Sequence, residues 1–82
     1  MKLPDRVDAN WIATLADTQL AKAEALLHAE FVKLEDAEKR RAGARYVMMR
    51  GPEPLMAAWQ RWLLVNNETR ARRVVIRRKR KS

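Results

Sequence analysis

Between Pro52 and Asn67, the residues Leu55, Met56, Trp59, Trp62 and Leu63 recur at the three- and four-residue steps of one helix face. Two tryptophans on one face constrain the fold more than any other feature. Each can bury about 200 Å², an upper bound of ~5 kcal/mol at ~25 cal/mol/Å², so the rest of the chain has to cover them. Pro52, Glu53 and Pro54 suit a first helical turn, where proline gives up no helical hydrogen bond and Glu53 complements the positive end of the helix dipole. The pattern predicts a helix near residues 53 to 66, stopping at Asn66-Asn67.

Two more apolar stripes lie upstream. Asp8 or Asn10 can cap a short helix near residues 9 to 16 that carries Trp11, Ile12 and Leu15, and Met1 to Val7, with Pro4, reads as a loose lead-in. Asp17 or Thr18 offers the next cap. Leu20, Ala23, Leu27, Phe31 and Leu34 then form a stripe among Lys22, Glu24, Glu30, Lys33, Glu35 and Asp36. Gly43 costs about 1 kcal/mol inside a helix. The stripe nevertheless resumes at Ala42, Tyr46 and Met49, and Gly51-Pro52 is the stronger stop, so the expected long helix runs from about 18 to 50.

The expected architecture is all-α. A short N-terminal helix and one long helix precede a Trp-bearing third helix folded back antiparallel, with Trp59 and Trp62 facing Ala42, Tyr46 and Met49. A basic, extended or β-like C-terminal arm follows. The rival reading pairs a strand at Tyr46 to Met49 with Val74 to Ile76 across the Trp helix.

At 82 residues the chain is one small domain, with no Cys and one His to supply a disulfide or a metal staple. Self-association is the remaining source of stability. A helix of 18 to 50 would be about 50 Å long against ~20 Å for the third, which leaves the stripe of Leu20, Leu27, Phe31 and Leu34 as a homodimer seam or a docking surface for a larger protein partner. The absence of Cys fits a cytoplasmic location. The longest run of large apolar side chains, Trp62 to Val65, is too short for a membrane span, and Asp5 and Asp8 stand where a secretory leader would carry basic residues.

Charge is distributed unevenly. Residues 1–68 hold ten Lys/Arg and ten Asp/Glu, whereas residues 69–82 hold eight Lys/Arg and no acid. The chain therefore reads as a neutral helical body, 1–68, with a basic arm, 69–82. Arg70, Arg72, Arg73, Arg77, Arg78, Lys79, Arg80 and Lys81 are the candidate phosphate ligands, with Arg45, Arg50 and Arg61 as supporting contacts from the body. The arm has no aromatic residue to stack on bases, so the expected contacts are with DNA or RNA phosphates.

Enzymatic chemistry finds no constellation. There is no Cys nucleophile and no Ser before Ser82, and Thr14, Thr18 and Thr69 lack a neighbouring base. Two glycines cannot form a glycine-rich phosphate loop. His28, one turn from Glu24, reads as a helix-surface His paired with that carboxylate and not as a metal ligand. Glu35, Asp36 and Glu38 read as a solvated face. The sequence thus points to a non-enzymatic, cofactor-free and metal-free binding protein. Its target is a nucleic acid or, alternatively, an acidic or nucleic-acid-handling protein on which it docks as an inhibitor or adaptor.

Overall fold

Asp8 keeps an extended backbone and its carboxylate accepts the Trp11 N–H at 2.9 Å, which fixes the start of helix α1 (Ala9–Ala13). The structure, a computed structural model, describes residues 3–46 and 51–75. Within the described part of the lead-in, residues 3–7, Val7 and Leu3 reach the core instead of lying loose. Val7 is buried with Ile12, Leu20, Ala23, Leu27 and Val65, and Leu3 packs against the same group. A five-residue helix cannot hold itself in water, and Val7 and Ile12 dock it on its longer neighbours.

Helix α2 (Asp17–Ala42) starts one residue earlier than a cap at Asp17, and two earlier than a cap at Thr18, would place it. Ala16 is the N-cap, and its N–H is accepted by Gln19 Oε1 at 3.1 Å, which leaves Asp17 to favour the first turn by charge. The expected stripe is real: Leu20, Ala23, Leu27 and Phe31 are all buried.

The helix does not continue to Arg50. It ends at Ala42, Gly43 takes φ +57° and ψ −127°, and Gly43–Arg45 form one 3-10 turn. That backbone region is open to glycine and strained for other residues, so Gly43 acts as the stop that its ~1 kcal/mol helix cost suggests. At 26 residues α2 is about 39 Å long, not ~50 Å.

Pro52 is the extended N-cap of helix α3 (Glu53–Ala71), with Pro54 in the first turn. The helix passes the expected stop at Asn66-Asn67 because its inner face keeps burying side chains, Val65 at 0% exposure and Thr69 at 1%. At 19 residues it is about 28 Å long, so it covers most of α2.

The two long helices pack antiparallel, as expected, but in a different register. Trp62 lies beside the middle of α2, its ring stacked on Phe31 at 5.6 Å and 8°, and not beside Ala42 and Tyr46. The early stop at Gly43 allows this, because the longer connection lets α3 begin alongside Leu34. Leu55, Ala58, Val65 and Thr69 form the fully closed line of α3, while Trp59 and Trp62 are half-buried along its flanks. Small Ala58 and Ala23, both at 0% exposure, sit where the helices need little space, and a two-helix layer has no further layer to enclose an indole.

No strand occurs among the described residues. Tyr46 closes the 3-10 turn, Val74 and Val75 lie just past α3, and residues 47–49 and 76 of the proposed strand pair lie outside the described residues.

Candidate nucleic-acid interface

Helix α3 runs past the neutral body and ends in a C-terminal cap that positions the first arm cations. Arg73 takes φ +58°, the Arg73 N–H returns to the Arg70 carbonyl at 3.2 Å, and the Val74 N–H returns to Thr69 at 2.8 Å. This is the double hydrogen bond of a Schellman cap, and the Val74 side chain completes it by packing on the core around Val65. Helix and cap thus carry ordered structure beyond Glu68, and Arg70, Arg72 and Arg73 belong to it. Arg70 and Arg73 are exposed.

Arg72 points the other way. Its Nε donates to Glu68 Oε2 at 2.7 Å, Nη1 to the Leu15 carbonyl at 2.6 Å and to Asp17 Oδ1 at 3.3 Å, and Nη2 to the Ile12 carbonyl at 3.2 Å. The Glu68 hydrogen bond, followed by Asp17, holds its guanidinium above the ordinary arginine value. Of the expected phosphate ligands, Arg72 is therefore already engaged by two carboxylates and two carbonyls. Arg77, Arg78, Lys79, Arg80 and Lys81 lie outside the described residues.

Among the described residues, the supporting contacts expected on the body lie apart from Arg70 and Arg73. Arg61 is paired with Glu30 at 3.1 Å, and Arg50 lies outside the described residues. Arg45 sits on the 3-10 turn at the other end of the helix pair, about 28 Å away, the length of α3.

The expected docking stripe is closed within one chain. Leu20 is at 0%, Leu27 at 1% and Phe31 at 7% exposure, with Leu34 packed beside Phe31 and Leu55. Helix α3 and the α1 segment use the surface on which a homodimer or a larger partner was expected to sit.

Several polar groups also differ from their surface reading. Glu24 is fully buried and accepts the Trp62 Nε1–H at 2.7 Å, while the His28 ring lies 5.2 Å from Trp62. Glu38 is buried beside Arg41, and Glu35 is mostly covered because Tyr46 folds back over α2 and donates to its Oε2 at 2.6 Å. That hydrogen bond pushes the Tyr46 hydroxyl up to about 12.

Among the described residues no three His, Cys, Asp or Glu side chains are grouped to hold a metal ion, and no helix is long and apolar enough to cross a membrane. A hollow of about 120 Å³ between α1 and α3 is lined by Ala9, Ile12, Ala13, Leu64 and Glu68. Among its described lining residues the one carboxylate is Glu68, which accepts from Arg72 Nε.

Sequence reasoning missed the inward role of Arg72, although Glu68 and Arg72 stand at the i, i+4 spacing of a helical ion pair. Comparison with protein-family models, curated proteins and solved structures found no match for this chain.

Proposed function

We propose that this chain is a small non-enzymatic nucleic-acid-binding protein that uses its C-terminal arm, chiefly through phosphate contacts. The observation that carries the reading is the segregation of charge: ten cations balance ten acids over residues 1–68, and eight cations with no acid follow. A phosphate backbone rewards such a block by counterion release, a gain that a neutral body cannot supply. Arg70 and Arg73 extend the block onto the exposed end of α3. The alternative, docking on a protein through the α2 stripe, loses support because that stripe is buried by the chain's own helices.

The reading is tested with the full chain and a variant in which Arg77, Arg78, Lys79, Arg80 and Lys81 are replaced by Gln. Random duplex DNA and random duplex RNA serve as probes. Binding by the wild type and markedly weaker binding by the variant support the proposal, while equal binding by both, or none by either, refutes it.

A further inference from the structure

We propose that Arg72 is not a phosphate ligand but the positioning residue that pins the base of the arm to the corner between α1 and α2; this rests on the nucleic-acid reading above. All three guanidinium nitrogens donate, and their acceptors belong to three segments: Glu68 on α3, the Ile12 and Leu15 carbonyls at the end of α1, and Asp17 at the start of α2. A planar fork with five donors can hold such a set, and a lysine ammonium cannot span it. A phosphate would have to displace both carboxylates to reach the side chain, which is only 24% exposed.

The neighbouring residues divide the remaining work. Arg73 reverses the backbone with its positive φ, and Val74 returns into the core. Residues 72 to 74 therefore alternate inward, outward, inward, and Arg70 and Arg73 stay in solvent on the end of α3. The pin fixes the direction of the chain at Val75 relative to the body. Without it, the same arm charges must be ordered at the moment of binding, which costs affinity without changing the number of phosphates contacted.

A phosphate ligand and a pin respond oppositely to lysine. Duplex binding is measured over a salt series for the full chain carrying Arg72→Lys, Arg72→Gln, Arg73→Lys or Arg73→Gln, at a temperature where circular dichroism shows each one folded. Arg73→Lys should bind like the wild type, and Arg73→Gln should make the logarithmic salt slope shallower by about 0.9. Both Arg72 variants should weaken binding about 3- to 10-fold with the slope unchanged. Asp17→Asn, a milder lesion that leaves the Ala16 cap intact, should shift affinity in the same direction.

A second readout needs no nucleic acid. The chain has no Cys, so Ser82→Cys gives a unique site for a fluorescent dye. Its anisotropy in the free protein should fall with Arg72→Lys and not with Arg73→Lys. Wild-type affinity in Arg72→Lys, together with a slope shallower by about one unit in Arg72→Gln, overturns the proposal and makes Arg72 a phosphate ligand. If the wild type binds no duplex at low salt, the nucleic-acid reading falls, and unchanged anisotropy in Arg72→Lys then overturns the pin as well.

Discussion

Trp62 Nε1–H donates to Glu24 Oε1 at 2.7 Å across the seam between α2 and α3, and the carboxylate is fully buried. Trp62 also belongs to the contacts of both apolar clusters, one around Leu20 and Leu27 and one around Phe31 and Leu55. Replacing it by Phe keeps an aromatic ring against Phe31 but removes the donor to a buried carboxyl oxygen. Trp62→Phe should therefore destabilise the fold by about 2 kcal/mol, measured by urea titration of helix content. Glu24→Gln, which keeps an acceptor oxygen, should cost less.

Gly43 adopts φ +57° with open space around the position a Cβ would take. Any penalty for a side chain there comes from the backbone alone. Gly43→Ala should cost about 1 to 2 kcal/mol in the same titration. A neutral or stabilising result would mean that the helix continues through this residue.

Arg73 occupies the left-handed position of the α3 cap, where glycine is the usual residue. Arg73→Gly should raise fold stability by about 1 kcal/mol while weakening duplex binding, because the cap improves as a cation is lost. Thermal melts and duplex titrations on the same samples check both signs together.

The Tyr46 hydroxyl donates to Glu35 and is pushed up to about 12, chiefly by that hydrogen bond. Because the folded value lies above the ordinary value of 10.0, the contribution is complete below pH 10 and is lost as pH rises toward 12. The stability difference between wild type and Tyr46→Phe should accordingly be constant from pH 7 to about pH 9.5 and shrink at higher pH. A difference that grows with alkalinity would contradict the assignment.

The helices were legible in the sequence wherever an apolar stripe met a cap: Asp8 before α1, Leu20 through Phe31 along α2, and Pro52 with Glu53 at the start of α3. Register was not legible. It depends on where α2 stops, and the apparent stripe of Ala42, Tyr46 and Met49 concealed that Gly43 could end the helix. Glu24 reads as one of the polar residues around the stripe, yet it lies four residues after Leu20 and three before Leu27, on the stripe itself. The half-buried indole of Trp62 turns its N–H to the seam, where it needs an acceptor, and the Glu24 carboxyl supplies one. The charge block was plain to see, but counting charges could not separate Arg72, which is held by two carboxylates, from Arg70 and Arg73, which face solvent.

The most direct test of the central claim is the salt dependence of binding to one random duplex, for the full chain and for the variant lacking Arg77, Arg78, Lys79, Arg80 and Lys81. Replacing those five cations with Gln takes the formal net charge from +8 to +3 and leaves the α3 cap intact. With Arg72 withdrawn, seven arm cations remain in the wild type and two in the variant. If all of them contact phosphates, the logarithmic slopes should approach about −6 and about −2, since each neutralised phosphate contributes ~0.9 on B-DNA. Equal slopes for the two proteins, or no binding by either at low salt, would contradict the account and move a protein partner to first place.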